Sequence, residues 1–323
     1  MVKSHHSKGR SCPPPRSRLC HFQQWLVCAA VLAFLCIAPA CSTAAAGTSV
    51  TVNPVNGTDS PACNVSAPCK TIAYAVQSIG ASFVSLSSGP FNESTVNISN
   101  IASLVISGVP SATVFECSSR LVPTGAAFSI VNSTVTITGV TFQSCSNPTS
   151  NGGAVSASGS SVVVSQCSFI NCSAASGGAM SVTGSSGHQV LNVQNSNFTA
   201  NSANGGGLAS CPADPTQPCS TWGGAIAAFE MSNVAIGGCT MTGNSAQTSV
   251  PTLSQQFNAS RNAVAGGGCV SVLFSGNSSG SNLKFSGSTF LSCTVTVGNT
   301  VYVGNGIRCC CACVDAVVMR FFP

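Results

Sequence analysis

Apolar residues recur at fixed distances from a series of bulky residues in the middle of the chain. The bulky anchors are Phe142, Phe169, Phe198, Met241 and Phe290. Apolar residues stand seven positions before them, at Val135, Val162, Leu191, Val234 and Leu283, and five positions before them, at Ile137, Val164, Val193, Ile236 and Phe285. A step of two is the period of a β-strand, so both side chains of each pair point to one face. The pattern predicts five short strands, each with one buried face.

Two further features repeat with the anchors. Three positions after each anchor the chain has only cysteine or asparagine, at Cys145, Cys172, Asn201, Asn244 and Cys293. Gly-Gly-Ala segments begin between the copies at Gly152, Gly177 and Gly223, and residues 205–207 and 266–268 are variants of them. Because glycine provides a positive φ or a close backbone approach, these segments predict corners.

The spacing of the copies indicates how the strands are arranged. They lie 27, 29, 43 and 49 residues apart, so a unit of roughly 25–29 residues carries insertions in the later copies. Units this short cannot bury an apolar face alone, whereas stacked coils pair each strand with counterparts about 4.8 Å above and below. A barrel or sandwich would alternate tight hairpins, whereas no two of the predicted strands are joined directly by a two-residue Asn-Gly turn. We predict an all-β fold, a right-handed parallel β-helix (solenoid) over residues 83–307.

The region before it, residues 47–82, has a different pattern. Ile72, Val76 and Ile79 recur at helical spacing and predict a short amphipathic helix. A helix there would cover the open N-terminal end of the solenoid. After it, alternating apolar residues predict the first coils, at Val84, Leu86, Val96, Ile98, Leu104 and Ile106.

Several of these stretches resemble known β-helix proteins. Residues 63–76, with their Pro-Cys-Lys-Thr-Ile stretch, and residues 85–93 and 105–109 resemble the opening of right-handed β-helix proteins of the pectin-lyase-like superfamily. The Gly-Gly-Ala segments and the Phe-x-x-Asn motif at 198–201 are similar to repeats of chlamydial polymorphic outer membrane proteins and of protist and algal surface proteins. The resemblance covers about residues 50–307, although three of the five copies have cysteine where the motif expects asparagine. It implies the fold and leaves the function open, because such proteins include enzymes, adhesins and structural proteins.

The two ends of the chain differ from the repeats. Residues 1–46 combine a basic stretch, an apolar run at 25–38 and small residues at candidate cleavage sites. They predict a secretory signal peptide, with an uncleaved signal anchor as the alternative. Residues 308–323 form a cysteine-rich tail, which we expect to be the truncated or misread end of a longer protein. The tail cysteines are Cys309, Cys310, Cys311 and Cys313.

Composition and charge favour the secretory route. Charged residues make up 5% of the chain, against about 25% in an average globular protein. Beyond residue 46, six basic residues balance six acidic ones, so we expect no nucleic-acid partner. Fifteen of the 20 cysteines lie there, which favours an oxidising compartment. Nine N-glycosylation sequons also lie there, at Asn56, Asn64, Asn92, Asn97, Asn132, Asn171, Asn197, Asn258 and Asn277.

Three cysteine pairs are candidates for disulfides. They are Cys63 with Cys69, Cys211 with Cys219, and Cys145 with Cys172. The first two pairs are close in sequence. The third occupies equivalent positions of adjacent coils, about 4.8 Å apart and within the range of a bridged pair. Stacked thiols are an equal alternative for that third pair.

Catalytic chemistry finds little support in the sequence. Pectinolytic proteins of this fold gather several acidic groups on one face to bind calcium or to act as acid and base, whereas the six acids here are scattered. We interpret His188 as a turn residue. Trp222 follows a loop that contains Asp214, and it could stack on a sugar or pack on its own coil beside that loop.

These observations predict a non-catalytic extracellular or cell-surface protein with a structural or adhesive role, without metal or cofactor. Its expected partners are extracellular polysaccharide or surface proteins. A carbohydrate-binding β-helix without catalysis is the alternative, followed by a polysaccharide lyase or hydrolase. Membrane contact is expected only through an uncleaved N-terminal anchor or a missing C-terminal region.

Overall fold

The computed structural model shows an all-β chain in which short strands form parallel sheets. It describes residues 47–118, 125–185, 189–205, 220–248, 264–266, 268–273, 282–297, 300–303 and 307–310. All of them lie in one compact unit that begins at Gly47.

Strands are numbered in chain order and fall into five sheets. Sheet 1 contains β1 (Ser49–Val52), β2 (Phe83–Leu86), β5 (Leu104–Ser107), β8 (Thr134–Thr138), β12 (Ser161–Ser165), β16 (Val190–Gln194), β21 (Asn233–Gly237) and β26 (Asn282–Ser286). Sheet 2 contains β3 (Gly89–Phe91), β6 (Thr113–Glu116), β9 (Val140–Gln143), β13 (Ser168–Ile170), β17 (Asn197–Thr199), β22 (Thr240–Thr242) and β27 (Thr289–Leu291).

The remaining strands complete the circuit. Sheet 3 contains β10 (Ser146–Asn147), β14 (Ser173–Ala174), β18 (Ser202–Gly205), β23 (Ser245–Thr248), β28 (Thr294–Val297) and β29 (Thr300–Val303). Sheet 4 contains β4 (Val96–Ser99), β7 (Phe128–Val131), β11 (Val155–Ser158), β15 (Met180–Thr183), β20 (Ile226–Phe229), β25 (Val270–Leu273) and β30 (Ile307–Cys310). Sheet 5 pairs β19 (Ser220–Trp222) with β24 (Val264–Gly266).

The chain visits the sheets in a fixed order. Strands β8, β9, β10 and β11 lie in sheets 1, 2, 3 and 4, and β12 returns to sheet 1 beside β8. Strands therefore pair in parallel with their counterparts one circuit along the chain, while β29 turns back antiparallel on β28. This arrangement is compatible with a solenoid of the β-helix type.

The register predicted from the apolar pattern is confirmed. The residues seven and five positions before the anchors are direct partners in successive strands of sheet 1. The anchors are direct partners in sheet 2. Their side chains are fully buried in the first four copies and partly buried in the fifth, at Leu283, Phe285 and Phe290.

The phenylalanine column of sheet 2 is longer than the sequence pattern indicated. Phe91 and Phe115 precede Phe142 in the same register. The rings of Phe142, Phe169 and Phe198 stack almost parallel, with centroids 5.0 and 4.7 Å apart. Such stacking adds to the burial of large apolar surfaces, so this column is a main source of stability.

The corner between sheets 2 and 3 has the same backbone conformation in each described copy. Its residue has φ between 51° and 64° at Ser144, Asn171, Ala200, Gly243 and Ser292. Such φ values cost a non-glycine residue about 1–2 kcal/mol. Because only one of the five is glycine, stacking on neighbouring coils imposes this conformation on the others.

The Gly-Gly-Ala segments form corners, as predicted, and their two glycines have different roles. The first glycine has a positive φ, for example 62° at Gly177. The second has no room for a side chain, because a Cβ on Gly178 would lie 2.2 Å from the carbonyl oxygen of Gly224. Successive coils therefore contact each other backbone to backbone at this corner.

The region 47–82 contains both a helix and a strand. Helix α1 (Ile72–Gln77) begins after Thr71, whose Oγ1 accepts a hydrogen bond from the Tyr74 N–H at 3.1 Å, and it buries Ile72, Ala75 and Val76. Strand β1 lies beside β2 in sheet 1, so the sheet starts before the predicted boundary at residue 83. At the other end, β30 includes the first three residues of the predicted tail, Arg308, Cys309 and Cys310. Residues 311–323 lie outside the described residues.

Candidate functional site

Two acidic side chains bind the backbone around the start of α1. The N–H groups of Lys70 and Thr71 donate to Asp59 Oδ1 at 2.8 and 2.9 Å. The N–H groups of Ile72 and Ala73 donate to the two carboxylate oxygens of Glu93 at 2.7 and 3.1 Å. The first N–H groups of a helix have no partner within it, so these carboxylates satisfy them. Both acids thus have a structural role.

The other described acids lie elsewhere. Glu116 accepts a hydrogen bond from Ser118 Oγ at 2.6 Å. Glu230 is exposed at a corner with a φ of 55°. Within the part of the chain that the structure describes, no three His, Cys, Asp or Glu side chains lie close enough to hold a metal ion. Asp214 and His188 lie outside the described residues.

Trp222, the candidate sugar contact, packs against its own coil. It ends strand β19, and its half-buried indole meets the ring of Phe229 edge-on, with centroids 6.3 Å apart. Its backbone N–H donates to Ser176 Oγ at 3.3 Å. These contacts favour the packing role over the sugar-stacking role. The loop cysteines Cys211 and Cys219 lie outside the described residues.

The cysteines that the structure describes form bridges at three places. Cys63 is bonded to Cys69, with Cα atoms 5.1 Å apart. Cys145 is bonded to Cys117, with Cα atoms 4.7 Å apart, so its predicted pairing with Cys172 is wrong. Cys117 comes one circuit before Cys145, and Cys172 comes one circuit after it. The Cys117 N–H donates to the Gln143 carbonyl, so Cys117 lies on the coil directly next to Cys145, as Cys172 does on the other side. A third bridge joins Cys269 to Cys293.

Cys172 and two other cysteines are buried thiols. The Cys172 sulfur contacts the carbonyl oxygens of Phe142 and Ile170 at 3.8 and 3.6 Å. Burial raises the pKa of Cys167 to about 11, and burial also raises the pKa of Cys239. A thiol with a raised pKa stays protonated at neutral pH, so neither Cys167 nor Cys239 is suited to act as a nucleophile.

Asn201 and Asn244 continue the cysteine column as a buried amide ladder. Asn201 Oδ1 accepts from the Cys172 N–H at 2.9 Å, and its Nδ2 donates to the Phe169 carbonyl at 3.0 Å and to Asn244 Oδ1 at 2.9 Å. Asn244 Nδ2 donates to the Phe198 carbonyl at 3.0 Å. Both amides are fully buried, and their hydrogen bonds join successive coils.

The described sequon asparagines are all exposed. Asn97 lies on sheet 4 and Asn197 on sheet 2. The other exposed ones lie in loops and corners, at Asn56, Asn64, Asn92, Asn132 and Asn171. Two candidates, Asn258 and Asn277, lie outside the described residues. All seven described positions are therefore open to modification.

The outer side of sheet 1, here called the sheet 1 face, carries two columns of side chains. One column contains Ser49, Phe83, Val105, Thr136, Val163, Asn192, Ala235 and Lys284. The other contains Thr51, Ser85, Ser107, Thr138, Ser165, Gln194, Gly237 and Ser286. Lys284 is the one charged residue in these eight strands. The face is therefore almost uncharged, and it mixes hydroxyl, amide and apolar side chains, including the 40%-exposed Phe83.

Comparison of the chain with protein-family models, curated proteins and solved structures finds no match in any of the three. No helix in the described ranges is long and apolar enough to cross a membrane.

Proposed function

We propose that the chain is a secreted or cell-surface protein, built as a right-handed parallel β-helix with a non-catalytic structural or adhesive role. The right-handed form is supported by a general rule, because crossovers between parallel strands of one sheet are right-handed in about 98% of cases. The buried residues of α1 support its role as the cover of the first coil, as described above.

The observation that carries the extracellular location is the exposure of all seven described sequon asparagines. Asparagine glycosylation requires an accessible side chain, and a sequon that formed by chance could equally lie in a buried column. The three disulfides agree with this location, since such bonds persist in oxidising compartments.

The non-catalytic role is supported by what the described polar groups already do. The carboxylates of Asp59 and Glu93 bind backbone N–H groups. The amides of Asn201 and Asn244 join coils. A scaffold that uses its acids and amides for its own backbone is suited to present a surface, and surfaces of repeat proteins commonly bind extended partners.

The test is production of the full chain in eukaryotic cells, followed by mass spectrometry of the secreted product. We expect glycans at the exposed sequons, and we expect Asn97→Gln and Asn197→Gln each to remove one. The secreted chain should not cleave polygalacturonate. Retention inside the cell without glycans would contradict the location, and turnover that disappears in Glu93→Gln or Glu230→Gln would contradict the non-catalytic role.

A further inference from the structure

We propose that two copies of this chain associate through their sheet 1 faces. The proposal goes beyond the role given above, because it assigns a specific surface and a specific partner. It rests on the side chains, the charge and the extent of that face, and on a comparison with the other sheets. The positions of glycans relative to this face matter only if the extracellular location proposed above is correct. The arginine variants described below test the dimer independently of that location.

The face matches a second copy of itself. Most of its outward residues are short and either hydroxyl-bearing or apolar, as in Thr136, Thr138 and Val163, so two such faces can approach closely over its central strands. Stacked sheets pack about 10 Å apart. A partner with many charges would lose the hydration of those charges without gaining ion pairs on this face. A second copy of the same face carries almost no charge, so it does not have this cost.

The position of Lys284 selects one arrangement of the pair. This residue lies in β26, at the opposite end of sheet 1 from β1. A two-fold axis along the strand direction places β26 of one copy over β1 of the other and keeps the two lysines far apart. Strands β8 and β12 then lie next to the axis. This arrangement is a closed two-fold dimer, the most frequent form of homo-oligomer.

The face is large enough for a specific interface. Eight strands span seven intervals of about 4.8 Å, and four or five residues span about 15 Å, which gives about 500 Å² on each copy. The pair therefore buries about 1,000 Å², which is the lower bound for a specific protein interface. We therefore expect a reversible dimer of moderate affinity.

The other large faces fit a partner less well. Sheet 2 has an exposed sequon at Asn197 and an acidic residue, Glu116, on its outer side. On sheet 4, the outward residues Ser181 and Ser271 are already buried by other parts of the chain, each at 2% exposure. None of the described sequon asparagines lies in a strand of sheet 1. Glycans on the described sites would therefore be attached outside this face, with Asn132 two residues before β8.

Two matched arginine variants test the proposal. Thr136 on β8 and Thr141 on β9 are both half-buried, outward-facing threonines of the same coil, but they lie on sheets 1 and 2. We expect the full chain to form dimers in sedimentation velocity experiments. Thr136→Arg should raise the dissociation constant at least about tenfold, because it brings two like charges together near the axis, while Thr141→Arg should leave it unchanged. A monomeric parent chain, or equal effects of the two variants, would overturn the proposal.

A glycan placed on the face provides a second test. Gln194→Thr completes an Asn-Val-Thr sequon at Asn192, in the middle of the face, and Gln194→Ala changes the same residue without creating a sequon. Chains whose Asn192 is shown by mass spectrometry to carry a glycan should be monomeric, whereas Gln194→Ala should dimerise. Dimers that persist with the glycan at Asn192 would show that the copies associate through another surface.

Discussion

The buried amide ladder provides the sharpest test of how the coils are held together. Asn201→Ala removes the acceptor of the Cys172 N–H, the donor to the Phe169 carbonyl and the donor to Asn244 Oδ1. A buried donor without an acceptor costs about 1–3 kcal/mol, and each of the other bonds contributes about 1 kcal/mol. We expect the free energy of unfolding to fall by about 3–5 kcal/mol.

Asn204 offers a matched control for this substitution. It lies three residues further on, is exposed, and its Nδ2 contacts Ser202 Oγ at 3.3 Å. Asn204→Ala should change the free energy of unfolding by less than about 0.5 kcal/mol. Urea unfolding of the parent and both variants gives the comparison from the midpoint and the slope.

Hydrogen exchange shows whether the effect has the proposed cause. The amide of Cys172 donates to Asn201 Oδ1, so its protection should fall more in Asn201→Ala than that of amides in distant coils. The double variant with Asn244→Ala should cost less than the sum of the single variants, because they share the bond between Asn201 Nδ2 and Asn244 Oδ1. A loss below 1 kcal/mol, or equal losses for Asn201→Ala and Asn204→Ala, would refute the reasoning.

Four other substitutions test the column, the corner and the buried thiol. Phe169→Ala should cost about 3–5 kcal/mol in urea unfolding, since Phe169 is fully buried between two stacked rings. Gly243→Ala should lower the free energy of unfolding by about 1 kcal/mol, and Ala200→Gly should raise it by a similar amount, because both positions require positive φ. A Cβ at Gly243 meets no atom within 4 Å, so steric clash does not add to the effect. Effects of equal sign for the two variants would contradict this. Burial raises the pKa of Cys167 from 9.0 to about 11, so the stability it contributes is complete below pH 9 and is lost as the pH rises to about 11. This loss is about 3 kcal/mol at most, and it should disappear in Cys167→Val.

The interior columns could be predicted from sequence because stacking repeats one chemical requirement in each coil. Val135 and Ile137 occupy the same columns as their counterparts in later copies, and the fixed distance to the anchor holds wherever only one or two residues separate the strands of sheets 1 and 2. At Phe115 this corner is longer, so the same distances no longer identify the columns. The alternating apolar residues therefore predict strands in the first coils but do not give their register.

The error at Cys145 has the same origin. Because the anchor pattern does not extend to the coil that contains Phe115, it identifies Cys172, and not Cys117, as the equivalent of Cys145 in an adjacent coil. In a stack, each residue has one neighbour above and one below, and spacing alone does not decide between them. The positive φ at Ala200 could not be predicted either, because alanine itself gives no signal for that conformation.

Stacking constrains the two sides of each strand differently, and this explains why the sequence identifies the scaffold more readily than the function. An inward residue such as Phe169 must match the side chains above and below it, so its type repeats along the column. Outward residues such as Thr136 and Thr141 lie in the same kind of strand, but their side chains do not pack in the interior. They can therefore differ from sheet to sheet without changing the fold. A hydrophobic pattern records both simply as polar positions. What distinguishes the sheets is the charge, the sequons and the covering of their outer sides, and those properties single out sheet 1 as the surface open to a partner.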